Sequence, residues 1–220
     1  MRRIVAEMVG WLTGYRGIPY TSRIAFRYEL FHLLVWAAAT GMLTPGFTAL
    51  VAVKSLDASD AVVTVIGSSV AFANLLAVFW GGWAGKRSKK AMLMLPAGLS
   101  ACVVGSVYFT PRASDPAFVF CIQMVFCYVC FSCVTTIRST IWRLNYPATH
   151  RARIAARFNI WGVLLGQLTA VFLAASYLDG AISTGGGSSR RVWADLTWIA
   201  GAGTPAAYRM LYPVATVMML

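Results

Sequence analysis

Polar residues are spaced along this chain so that five apolar stretches, each about as long as a bilayer is thick, stand between short charged loops. A hydrocarbon core of roughly 30 Å takes about 20 apolar residues as a helix, because no water is present there to pair stray backbone groups. The stretches cover 28–53, 61–84, 91–110, 117–141 and 154–178, and a sixth begins near Ala207 and is still running at Leu220. The pattern predicts an all-α membrane protein: an N-terminal segment 1–27, then a six-helix transmembrane bundle over 28–220 whose sixth helix is incomplete. At about 1.5 Å per residue, Ala207–Leu220 reaches roughly 21 Å and falls short of a crossing. The expectation is a polypeptide that continues, or a truncated gene product.

Local signals refine the spans. Gly41 and Pro45 predict a kink in the outer half of the first. The short loop Lys54–Asp60 forces the second span to return antiparallel beside it. Trp80 and Trp83 sit where an interfacial aromatic belt is expected. Thr110–Pro116 crosses back on the outer side, and Trp142–Arg153 reads as a longer basic inner segment. Gly162 and Gly166 have the four-residue spacing that lets helices approach closely. Asp179–Thr204, with Gly185, Gly186 and Gly187, reads as a loop, part of which (Val192–Ile199) can lie on the membrane surface. The start of the chain lacks a signal-peptide cleavage site. Ile4, Val5, Met8, Val9, Trp11 and Leu12 instead suggest an amphipathic helix on the inner leaflet.

Composition agrees, since 59% of the 220 residues are hydrophobic and only 12% charged, too few to cover a water-facing globule. The net charge of +12 does not point to nucleic acid, because the basic residues are divided among loops. Of the 19 Lys and Arg, 14 fall on the side of the N-terminus, whereas all five Asp fall on the other. By the positive-inside rule the N-terminus is cytoplasmic, in a plasma membrane and most simply a bacterial inner membrane. All five cysteines lie within spans, so no extracellular disulfide framework is expected. Cys127, Cys130 and Cys133 form C-x-x-C-x-x-C, but at helical spacing they drift around the axis and read as packing residues; no metal site is expected.

The turn between spans two and three reads Gly81-Gly82-Trp83-Ala84-Gly85-Lys86-Arg87-Ser88-Lys89-Lys90. It resembles the G-x-x-x-D-R-x-G-R-K signature of the major facilitator superfamily, N-terminal half. Gly81, Lys86, which follows the acid position, and the pair Lys89 and Lys90 carry the likeness; Gly85 replaces the acid and Ser88 the inner glycine. Arg138–Arg153, with Asn145-Tyr146-Pro147 and Arg151, is similar to an "R…YP…R" pattern in that family, and Tyr208–Pro213 to the "YRxLFP" opening its sixth helix. The resemblance implies secondary-active transport by alternating access, in which two six-helix halves rock about a central site. It implies a second half, supplied by further polypeptide or by a second copy. The basic turn would pin the inner side of the bundle or bind anionic headgroups, or would serve only as a topology determinant.

Polar residues inside the spans are the candidates for solute and cavity contacts: Glu29, His32, Thr40, Thr44, Gln123, Arg138 and Gln167. In the family the first and fourth helices line the cavity, so Glu29 and Arg138 can form a gating ion pair; separate snorkelling to headgroups is the alternative. Asn74 reads as an amide bonded across a helix interface. The partners expected are the lipid bilayer and a small solute, with a coupling proton possible at Glu29. A truncated six-helix protein with a structural or interaction role is the competing reading. With no H-E-x-x-H, no G-x-S-x-G, no acidic pair within a span and no Walker phosphate loop, neither an enzyme nor an ATP-driven pump is expected, and no cofactor. A cysteine placed at position 89 in a background free of other cysteines is expected to react with a membrane-impermeant thiol reagent only from the inner face; labelling of intact cells there would reverse the topology.

Overall fold

Among the described residues, five helical segments are long and apolar enough to cross a membrane: Tyr20–Leu56, Asp60–Ala84, Lys89–Arg112, Pro116–Asn145 and Ala148–Leu173. The computed structural model describes residues 18–85, 87–182 and 208–219, and these contain helices and no strand. The first span is two helices, α1 (Arg23–Gly41) and α2 (Pro45–Leu56), and the second is α3 (Asp60–Leu75) and α4 (Ala77–Ala84). The third is α5 (Lys89–Ser106) running into a 3-10 turn, Val107–Arg112. The fourth and fifth are α6 (Pro116–Asn145) and the helix α7 (Ala148–Ile182). A final helix, α8 (Tyr208–Met219), has 12 residues, or about 18 Å, too short to cross alone.

Several boundaries differ from the sequence expectation. The segment Trp142–Arg153 is not a loop: α6 continues to Asn145 and α7 begins at Ala148, leaving only Tyr146 and Pro147 between them. Hydropathy marks the thickness of lipid, whereas helix length follows backbone propensity, which Arg and Leu satisfy equally well. Asp179–Ile182 likewise belongs to α7, and the first span opens before residue 28. Residues 1–17 and 183–207, with the expected amphipathic helix and the Gly-rich loop, lie outside the described residues.

The kink expected near Gly41 and Pro45 is a full break at Met42–Thr44. Pro45 supplies no N–H, and it pushes Thr44 into the extended region (ψ 142°). The carbonyl of Leu43 accepts a hydrogen bond from Tyr128 Oη of α6 at 2.9 Å, and the phenol oxygen lies 3.0 Å from Thr48 Oγ1. The second span tightens at Leu76 without leaving the helical region (φ −70°, ψ −13°), the Leu76 N–H donating to Ala73 O at 3.1 Å.

Short turns reverse the chain. Asp57 ends α2 in the left-handed region (φ 47°), and the Ala58 N–H donates to Ala52 O at 3.1 Å. Asp115 caps α6 by accepting from the Phe118 N–H at 3.0 Å, with Pro116 in the first helical position. Helix α6 is the hub, packing on α3, α4 and α5, while α1 packs on α7, and α8 lies against α5 and α1. The main core joins Trp36, Leu43 and Phe47 to Ile66, Val104, Phe120, Met124 and Tyr212. A second core stacks Phe26 on Phe158, ring centroids 5.2 Å apart, with Leu33, Tyr146 and Ile154. The outside is apolar: Leu75, Val78, Phe79, Leu95, Val163 and Val171 are all at least 64% exposed, a surface suited to lipid and costly in water.

The α1–α7 contact rests on small residues. Gly162 and Gly166 face Leu33 and Ala37 of α1, and a Cβ added at Gly41 would stand 2.5 Å from Gly166 O and 2.9 Å from Thr169 Cβ. Gly41→Ala is therefore expected to push the helices apart and cost about 1–3 kcal/mol of stability. Gly67→Ala, where nothing lies within 4 Å, should be neutral or better. Thermal unfolding in detergent compares the two; equal melting temperatures would refute the close crossing.

Candidate functional site: a polar cavity and a carboxylate cluster

Breaking the first span opens space beside it. A cavity of about 350 Å³ lies where the first, second, fourth and fifth spans meet. Of the candidates read from the sequence, Thr40, Thr44 and Gln167 line it. Asn74 lines it too, instead of bridging a packed interface. Tyr128, Ser132 and Thr135, which sequence reasoning passed over, supply the wall from α6. They fall at i, i+4 and i+7, a hydroxyl stripe on one helical face, and that periodicity was the available signal.

The hydroxyls of the cavity are differently committed. Thr40 Oγ1 donates to Ala37 O, and Thr44 Oγ1 to Gly41 O, each at 3.1 Å. Thr135 Oγ1 donates to Phe131 O and Ser132 O. Each satisfies its proton within its own helix and keeps lone pairs for an incoming donor. Ser132 differs: it is 4% exposed and its Oγ has no hydrogen-bond partner.

Gln123 does not belong to this cavity. Its Oε1 accepts from Thr110 Oγ1 at 2.7 Å and its Nε2 donates to Ser106 Oγ at 3.0 Å, tying α6 to the end of the third span. It faces the neighbouring turn rather than the bundle centre, which a sequence without its tertiary partners does not reveal.

Glu29, His32 and Arg138 form a separate group, toward the end of the bundle that carries the basic turns. Arg138 Nε donates to Glu29 Oε1 at 3.5 Å, with the two side chains 12% and 15% exposed. Trp142 Nε1 donates to the same oxygen, and Tyr146 Oη donates to Glu29 Oε2 at 3.0 Å. Residues 138, 142 and 146 follow one another at four-residue spacing, so a single face of α6 and its end delivers three donors to one carboxylate. The Arg138 guanidinium also lies over the Trp142 ring, 5.4 Å from its centroid. Burial, then the neighbouring carboxylate, pushes the Tyr146 phenol well above its ordinary value, so it remains a donor. His32 is exposed and stacks on Trp36 at 5.9 Å. Glu29 and Arg138 therefore pair rather than snorkel apart.

Around this cluster the chain is tied down. Arg151 Nη2 donates to Arg143 O and Tyr146 O, closing the carbonyl end of α6, and Ser22 Oγ donates to Asn145 O at 3.1 Å. Arg157, 1% exposed, is buried near the same end. In the basic turn, Gly81 lies in α4 and Gly85 just beyond it, both exposed. Arg87 stacks over Trp83 at 5.0 Å, and Lys89 and Lys90 open α5; Lys86 lies outside the described residues. Two cations at the N-terminus of α5 oppose its dipole.

Among the four buried cysteines, Cys127 packs in the main core and Cys133 beside Met92 and Ile137. The described residues contain no group of three side chains able to hold a metal ion. No protein-family model, no curated protein and no solved structure matches the chain.

Removing the carboxylate strands three donors. Glu29→Leu is expected to lower stability by about 3 kcal/mol, and adding Arg138→Leu to recover part of that loss, because the guanidinium is no longer buried unpaired. A double-mutant cycle on thermal unfolding checks the coupling; strictly additive losses would mean that the pair contributes nothing.

Proposed function

We propose that the chain is the N-terminal six-helix half of a secondary-active transporter that moves a small solute by alternating access. Its basic end faces the cytoplasm of a bacterial inner membrane. The observation that carries the reading is the cavity of about 350 Å³ among four spans, with polar groups from each gathered inside an otherwise apolar bundle. In lipid such groups are costly unless paired or wetted, so a cluster of them around open space marks a path for something polar. The volume sits at the low end of ligand sites, which run from about 300 to 1,000 Å³.

The cluster on Glu29 supplies the gate. It joins the first span to the fourth at one end of the bundle, about 16 Å along the helix from Thr40. Opening that end requires the carboxylate to leave three donors at once, and protonating it weakens its bonds to all of them. A proton taken up at Glu29 thereby couples to opening. The likeness of the α4–α5 turn to the major facilitator signature supports the same reading. Alternating access then requires a second helical half, in further polypeptide or in another copy of the chain.

Membrane vesicles containing the protein, together with whatever supplies its second half, test this by uptake of radiolabelled solutes under an imposed pH gradient. The expected result is gradient-driven accumulation above empty vesicles that collapses in Glu29→Gln. Unchanged uptake in that variant would remove Glu29 from the coupling, and absence of flux for every solute would leave the structural reading of the bundle in place of the transporter.

A further inference from the structure

We infer that the cavity selects an uncharged solute bearing hydroxyl or amide groups on an apolar frame, such as a polyol, a sugar or a nucleoside. The inference rests on the transporter reading, in that it takes this cavity as the solute site. Among the described residues lining the cavity, none is a carboxylate, an ammonium, a guanidinium or an imidazole. The nearest ion pair on the first span, Glu29 with Arg138, is internally compensated and lies about 16 Å away along the helix. A charged solute entering this site would lose its hydration and meet no countercharge, a cost that hydroxyls alone do not offset.

What the cavity offers is neutral hydrogen bonding from four directions. Asn74 on the second span and Gln167 on the fifth are exposed to the space, and each amide presents two donors and an acceptor. Thr40, Thr44 and Thr135 present lone pairs, their protons being spent on their own helices. Ser132 adds a hydroxyl that is buried, unpartnered and at the wall of the cavity. A buried hydroxyl left without a partner costs free energy, and a ligand hydroxyl or amide arriving there removes that cost. Between these points the surface is apolar, with Leu43, Val70, Phe131 and Val163 suited to the C–H faces of a compact frame. Sites built in this way reject analogues that fail to pair their polar groups, more sharply than they discriminate size.

Equilibrium dialysis of the full chain in lipid nanodiscs tests the inference without requiring flux. The probes are radiolabelled glucose, inositol, xylitol and uridine against gluconate, a charged counterpart of the open-chain polyols, and glucosamine, a charged counterpart of glucose. Saturable binding of a neutral probe is expected, with the charged analogues at least about tenfold weaker. Ser132→Ala and Asn74→Leu should each weaken it about three- to tenfold without lowering the melting temperature, because the Ser132 hydroxyl has no partner within the protein and the Asn74 side chain is exposed. Binding of gluconate or glucosamine as tightly as the neutral probes would overturn the solute class while leaving transport standing. Neutral binding indifferent to both substitutions, or no binding of any probe, would overturn the site. Neutral binding that passes both tests in a protein that shows no flux would support this inference and sink the transporter reading instead.

Discussion

A backbone carbonyl inside a membrane has no water to bond, and the bundle is organised around one such group. Pro45 interrupts the first span, and the carbonyl of Leu43 would be left without its helical partner. Tyr128, reaching from the fourth span, donates to it at 2.9 Å. That bond fixes the rotation and depth of α6 against the first span. It thereby decides which face of α6 looks inward, and the same face carries Ser132 and Thr135 to the cavity and continues to Arg138, Trp142 and Tyr146. The break that creates the space and the side chain that repairs the break are parts of one arrangement.

A second constraint acts at the other end of that face. Glu29 collects donors from three successive turns of α6, so the first and fourth spans are held twice: once by a neutral phenol at mid-span and once by a carboxylate near the basic end. The two ties differ in kind. The first is a bond from a neutral phenol to a backbone carbonyl, whereas the second joins an ion pair whose side chains are 12% and 15% exposed. One tie therefore lies beside the break in the first span and the other near the basic end. On the opposite flank, the close approach of Gly41 to Gly166 brings the first span into van der Waals contact with the fifth.

Much of this was legible in residue order. Apolar run length located each span, Pro45 and Gly41 located the break, and the spacing of Gly162 and Gly166 identified the close-packing face. Thr40, Thr44 and Gln167 were legible as polar groups at mid-depth. Asn74 and Gln123 were not distinguishable, because both are amides in apolar helices; one opens onto the cavity and the other bonds Thr110 and Ser106 only because of which neighbours each helix acquired. The long helical ends of α6 and α7 were missed because a hydropathy window measures where lipid stops, not where a helix stops.

The sequence by itself determined that the chain forms apolar helices of membrane length, where the first of them must break, and which short turns carry the positive charge. These follow from local chemistry: backbone pairing in a medium without water, the missing N–H of proline, and the cost of moving lysine and arginine across lipid. Tertiary structure alone decided that Tyr128 repairs the break, that Glu29 gathers Arg138, Trp142 and Tyr146, and that Ser132 is left buried without a partner beside an open cavity. Those outcomes depend on the relative rotation of helices more than 80 residues apart in sequence, and rotation is set by packing between faces, which no single stretch of residues contains.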